Sequence, residues 1–263
     1  MKRIEVHMLL ILLIGFISCQ KNDTAIDIIN KTNNSIDTIE NIYYKQDMIR
    51  TDPENITDTI FRYREMYFER LIEDSIVGLK GHWYFYSDDK KQVKFEDIYD
   101  GDKLIRKNNL DSLVKLYDLI KFPEIKEKHF WSHNTLYGMQ YEFGYILNNL
   151  DSYKIKRLND TSYTDSRTFY QIEIILEDKI TMPGFATKLE ENEGNFSRTL
   201  YIIDKQTYYP TEMKGEVFSR DSPEQKSFIE QKYYDIKFNF DIESQFQFNT
   251  SDESISKYQI IEM

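Results

Sequence analysis

The sequence predicts an α+β domain built on a curved antiparallel sheet. Three observations carry this expectation. Long stretches alternate polar and apolar residues with period two, the mark of half-buried strands. Aromatics make up 15% of the 263 residues, with 20 Tyr and 17 Phe, and strands accommodate that excess best. The spacing turns helical only in a short N-terminal stretch and in a central insert, about residues 109–149, and consecutive strands around such an insert form an α+β arrangement.

The chain opens with a targeting segment. Lys2 and Arg3 precede an apolar run from Met8 to Ile17. That run is too short for a bilayer-spanning helix, which needs ~20 residues. It fits the apolar core of a secretory signal peptide over residues 1–18. Ser18-Cys19 follows, and this junction resembles the lipobox of bacterial lipoproteins. Phe16 and Ile17 depart from the usual residues there. The resemblance implies that Cys19 is diacylated and becomes the mature N-terminus; the alternative is an uncleaved signal anchor. Cys19 is the only cysteine, so the chain can form no internal disulfide and no CxxC redox site. By resemblance to lipoprotein sorting, Gln20 after the cysteine favours the outer membrane, and the lack of an acidic cluster over Gln20–Thr24 favours the periplasmic side, the alternative being the cell surface. Removing residues 1–18 takes away Lys2, Arg3 and Glu5, so the net charge moves from −11 to −12. That acidic balance argues against nucleic-acid binding, which needs a basic footprint.

Residues 19–35 read as a tether with a short helix, in which Ile26, Ile29 and Ile36 share a face. Residues 36–263 read as one domain. Ile42, Tyr44 and Met48 share a face of the first strand. Thr59–Ile72 is a long strand with Phe61, Tyr63, Tyr67 and Leu71 on one face and Arg62, Arg64, Met66, Phe68 and Arg70 on the other. Gly81–Tyr86 alternates Trp83 and Phe85 with His82, Tyr84 and Tyr86. Val93–Tyr99 and Lys103–Arg106 flank the Asp100-Gly101 turn. Leu110, Leu113, Val114, Tyr117 and Ile120 recur at helical spacing, so a helix is expected over Asn109–Lys121, limited by Pro123. Glu124–Asn149 reads as helix with loops. Strands return at Tyr153–Leu158 and Arg167–Glu177, and Thr181–Gly194, with its acidic run Glu190-Glu191-Asn192-Glu193, reads as a loop. Arg198–Phe218 is a hairpin: an apolar strand through Leu200–Ile203, a polar turn at Asp204–Thr207, and a half-buried strand after Pro210. From Phe228 to Phe248 the apolar residues Tyr234, Ile236, Phe238, Phe240, Ile242, Phe246 and Phe248 all fall on even positions.

This order of helix, aromatic strands, central helices and closing strands, with the hairpin YIIDKQTYYP at Tyr201–Pro210, resembles the LolA/LolB-like superfamily of lipoprotein carriers. It is also similar to the N-terminal domains of some exported thioredoxin-like lipoproteins. The resemblance implies an incomplete antiparallel barrel with helices packed on or closing one side.

Catalytic chemistry finds no support. His129 and His133 stand one helical turn apart, but Phe130 fills the place a catalytic Glu would take in HExxH, and no third ligand is evident. The carboxylate pairs Asp88-Asp89, Asp160 with Asp165, and Glu190-Glu191 fall in turns and loops, where solvation explains them. No GxSxG, Walker A or GxGxxG motif is present. No metal, cofactor or enzymatic activity is expected. Five Asp-(Ser/Thr)-apolar triplets, at Asp23, Asp37, Asp58, Asp74 and Asp111, are similar to an O-glycosylation acceptor motif of some Gram-negative exported proteins.

The aromatic stripes are the remaining candidate. Tyr44, Phe61, Tyr63, Tyr67, Trp83, Phe85, Tyr201 and Ile203 either form core or line a cavity suited to an acyl chain or apolar peptide side chain. The expected function is a membrane-anchored envelope lipoprotein that binds or carries a hydrophobic ligand, an acyl chain, lipid or lipoprotein, in an aromatic half-barrel. The alternative is a non-catalytic structural or assembly subunit with an envelope protein partner.

Overall fold

The computed structural model describes residues 23–52, 55, 57–73, 78–117, 119, 121, 136–163, 166–182, 188–240, 248 and 250–263. The signal segment, Cys19 and the His129/His133 pair lie outside them. Helix α1 (Ala25–Asp37) opens the described chain. Strands β1 (Asn41–Thr51), β2 (Thr59–Arg70), β3 (Leu79–Tyr86), β4 (Val93–Tyr99), β5 (Leu104–Asn108) and β6 (Leu113–Tyr117) follow as a meander. Helix α2 (Leu136–Asn148) and a 3₁₀ turn (Leu150–Ser152) separate these from β7 (Lys154–Arg157), β8 (Thr161–Ser162), β9 (Thr168–Met182), β10 (Lys188–Asp204), β11 (Pro210–Ser219) and β12 (Ser222–Phe238). A single-turn helix α3 (Asp252–Ile255) and β13 (Gln259–Glu262) end the chain.

All 13 strands belong to one sheet, in the order β13-β6-β5-β4-β3-β2-β1-β12-β11-β10-β9-β7, with β8 on β9. The pairings are antiparallel except β13 with β6. The two ends do not pair, so the sheet is not closed. Nine consecutive strands, β5 to β9 in that order, would span ~38 Å if flat at ~4.8 Å per step. Two helices of ~10–12 Å diameter cannot cover that width. Yet Leu104 of β5 and Ile172 of β9 share one core with Ile28, Ile29 and Ile36 of α1 and Met139, Phe143 and Ile146 of α2. The sheet therefore curls around the helix pair, as an incomplete α+β barrel.

Local chemistry explains each element. Thr24 caps α1 with a complete capping box: its hydroxyl accepts from the Asp27 amide at 3.1 Å, and Asp27 accepts from the Thr24 amide at 2.9 Å. The buried face of α1 is Ile28, Ile29, Thr32 and Ile36, so the expected face is corrected by one position: Ile26 is 40% exposed. In β2 the two faces divide as the alternation predicts.

Three expectations fail for physical reasons. The helix expected over Asn109–Lys121 is instead a turn followed by β6. The Asn108 side chain accepts from the amides of Leu110 and Asp111 at 3.0 and 3.4 Å, and Ser112 takes φ +54°, which together reverse the chain. Val114 then faces Ile105 and Ile255 on the outer side, while Tyr117 packs on the main core. A short strand apolar on both faces gives the same spacing as a helix. The acidic run Glu190–Glu193 is not a loop but the start of β10, with Glu190 opposite Ile180 and Glu191 opposite Lys179. The even-position stripe of β12 breaks at Asp235. Gln231 and Tyr233 face inward, Tyr234 is 37% exposed, and Ile236 and Phe238 return to the core. Asp235 at φ +53° is the extra residue of a bulge against β1.

Candidate functional site

The face of the sheet that meets α1 and α2 has two halves. Under the helices it is aromatic. Trp83 meets Phe68 edge-on at 5.2 Å, Phe68 lies 5.8 Å from Tyr44, and Tyr44 meets Tyr233 at 5.5 Å. Tyr209 continues the row toward Phe238 at 5.2 Å. Gly81 makes room for the Trp83 ring, since a Cβ there would come within 2.2 Å of it. Helix α2 lies on this surface through Phe143, whose ring sits 4.9 Å from Tyr201. Its ties to α1 include one side-chain bond, Gln140 to Asp37 at 2.9 Å.

Glu142 of α2 also hydrogen-bonds Tyr201, which is buried. Burial raises the Glu142 carboxyl above its ordinary value, against the Tyr201 bond that lowers it. Tyr201 is itself raised by burial and by the Glu142 charge.

Toward the other end of β1 and β2 the same face turns polar. Met48 stands opposite Arg62, Gln46 opposite Arg64, and Arg50 opposite Ile60. Arg64 is 3% exposed; its guanidinium lies 5.4 Å from the Phe85 ring centre and donates to Gln46 at 3.4 Å. Burial and the Arg62 charge lower the Arg64 guanidinium to about 10, so it stays cationic at neutral pH. Next along the sheet Arg106 holds the fully buried Asp97 through two bonds of 2.8 and 2.7 Å. A groove of about 370 Å³ opens at this rim, lined by Ile60, Phe61, Arg62, Tyr63, Phe85, Tyr86, Asp88, Lys94, Phe95 and Arg106.

Five of the eight aromatic and apolar candidates come together on the helix-covered face. Tyr44, Trp83, Tyr201 and Ile203 are in the core and Phe85 packs against it. Tyr67 faces outward and stacks on Phe248 at 5.3 Å. Phe61 and Tyr63 share that outer face of β2 but reach the rim groove; Lys90 sits 4.1 Å above the Tyr63 ring. The residues missed were Arg50, Gln46, Gln231 and Glu142. A signal for part of the polar half was present: Arg62 and Arg64 alternate in phase with Met66 and Phe68, placing cations on a core face.

The carboxylates considered for catalysis are held in surface ion pairs: Asp88 with Lys94 at 3.4 Å, Asp160 with Arg157 at 2.9 Å, and Glu191 with Lys179 at 3.5 Å. Among the described residues no group of three His, Cys, Asp or Glu could hold a metal, and no helix is long and apolar enough to cross a membrane.

No protein-family model matches the chain, and no curated protein matches it. Solved structures do. A lipoprotein-sorting domain from Vibrio parahaemolyticus is 15% identical, with 88% of this chain and 97% of that one covered and a TM-score of 0.33. The Mycobacterium tuberculosis lipoprotein LppX is 8% identical, covering 83% and 97%, with a TM-score of 0.47. A LolA-superfamily protein from Nitrosomonas europaea is 10% identical, covering 85% and 96%, with a TM-score of 0.33. These are similarities of fold at low identity.

Proposed function

We propose that this protein is a lipid-anchored envelope lipoprotein that binds or carries a hydrophobic ligand, an acyl chain, lipid or lipoprotein, between its curled sheet and its helices. The observation that carries the reading is the cover. The aromatic face of an unclosed sheet is covered by two helices, and α2 is seated through Met139, Phe143 and Ile146. Apolar contacts of this kind are non-directional, so an acyl chain replaces them at little cost once α2 shifts. The strands cannot shift in the same way, because their ladder bonds would be left unmade. Diacylation at Cys19 holds the domain on the bilayer, since each buried CH₂ contributes ~0.8 kcal/mol and two chains suffice for stable anchoring. The outer membrane, with the domain facing the periplasm, is the proposed address.

Native mass spectrometry of the full chain, extracted from membranes of the cells that make it, tests this. The expected result is a bound species of lipid mass that is lost when α2 is tethered to the sheet by an engineered disulfide. A stable protein partner with no bound lipid would overturn the carrier reading in favour of an assembly subunit. For the anchor, Cys19→Ala is expected to release the protein from the membrane fraction.

A further inference from the structure

The rim end of the helix-covered face holds an arrangement that a purely apolar ligand does not explain. Arg50, Arg62 and Arg64 project from neighbouring positions of β1 and β2. The chain carries 45 acidic residues against 34 basic ones, and its other cations are widely paired with them. Arg106 beside this cluster has Asp97. Arg50 and Arg62 have no carboxylate within ion-pair distance among the described residues, and each lowers the charged form of its neighbours rather than being relieved by an anion. One donor here is buried and lacks a hydrogen-bond partner among the described residues: the Nε of Arg50. Buried donors are normally satisfied, so this one, within a cluster of guanidinium groups that lacks a carboxylate, marks a place for an acceptor. Guanidinium forks match carboxylate and phosphate oxygens two at a time. The groove lined by Arg62, Phe85 and Phe95 joins this cluster to the aromatic wall.

We propose that the Arg50–Arg62–Arg64 cluster is an anion site at the rim of the ligand cavity, and that the ligand is an anionic amphiphile whose carboxylate or phosphate is held there while its chain lies along Phe85 toward Trp83. The chain's placement rests on the carrier reading above; the anion site does not. Arg50 and Arg62 supply the charge. The chemistry shared by a lipid headgroup and a free phosphate is the same, and the experiment separates them.

The Cys19→Ala chain, which carries no acyl anchor, is titrated in detergent-free buffer with cis-parinaric acid, with its methyl ester, and with inorganic phosphate. The acid is expected to bind at least about tenfold more tightly than the ester, and Arg50→Gln with Arg62→Gln should remove that advantage while leaving ester affinity within about twofold. Arg62→Lys should retain part of it, and unchanged circular dichroism shows that the variants fold. Phosphate that fails to displace the acid identifies the anion as part of the lipid. Equal binding of acid and ester, unaffected by the arginine variants, overturns the anion site and leaves the carrier reading standing. Binding of phosphate alone, lost in the arginine variants, keeps the anion site and overturns the carrier reading. Failure of all three probes overturns both.

Discussion

Two glycines show how differently the same residue acts within one fold. At Gly81 a Cβ would lie 2.2 Å from the Trp83 ring, and Trp83 is fully buried, so the ring cannot move aside. Gly81→Ala is expected to destabilise the protein by ~1–3 kcal/mol through overpacking. At Gly144, inside α2, nothing lies within 4 Å of the same position. There Gly144→Ala should stabilise by ~0.5–1 kcal/mol, because it removes backbone freedom from the unfolded chain without a clash. Urea denaturation of both variants checks the opposite signs. Neither sign is legible in sequence: a glycine in a strand and a glycine in a helix both read there simply as weakening residues. The aromatics divide in the same way. Alternation put Trp83 and Phe85 on one face and Tyr67 with Phe61 and Tyr63 on another, but it could not say which face the helices cover.

Among the elements, β12 is the one whose sequence pattern is regular and whose structure is not. Its even-position stripe suggests one uninterrupted face. The bulge at Asp235 instead lets Tyr233 and Phe238, of opposite parity, point into the same core. The left-handed backbone at Asp235, φ +53°, is tolerated by Asp and Asn but strains a β-branched residue. Asp235→Asn is therefore expected to cost under ~0.5 kcal/mol, since the Lys45 pair it breaks is exposed and worth little. Asp235→Val should cost more than ~1 kcal/mol. Thermal unfolding of the two variants separates the backbone effect from the charge effect. In β6 the opposite occurred. Leu113, Val114 and Tyr117 satisfy a helix and a doubly covered strand equally well, and the choice fell to the Asn108 turn and to β13, which pairs Gln259–Glu262 alongside it.

For the whole molecule the central question is how α1 and α2 close over the curled sheet. Glu142 lies at that junction. Its carboxyl is raised by burial, so the folded state holds its proton where the unfolded chain has released it. Its contribution favours folding at low pH and is lost as pH rises from the ordinary value of 4.5 through the raised one. Carboxylates such as Glu216 and Asp23, lowered chiefly by bonds to Lys226 and Lys31, act in the opposite direction, so the raw pH profile mixes both signs. The difference between wild type and Glu142→Gln isolates the residue. The variant is expected to gain stability relative to wild type as pH rises above about 4.5, read by urea denaturation across the acid range. A difference that stays flat with pH would mean that Glu142 ionises freely and that the helix cover is open to water.

The amino-acid sequence by itself determined the run of strands β1 to β5, the faces of β1 to β3, the hairpin of β10 and β11, and an aromatic face broad enough to need covering. These follow from local rules: period-two alternation and turn residues act over a few positions. Only the tertiary structure decided that Tyr44, Trp83 and Tyr201 meet under two helices, that Arg50 and Arg62 stand together at the rim, and that β6 is a strand. Those outcomes depend on partners far apart in the chain. Tyr44 and Tyr233 are brought together by pairing β1 with β12, and no local pattern encodes which strands pair or which way a long sheet curls.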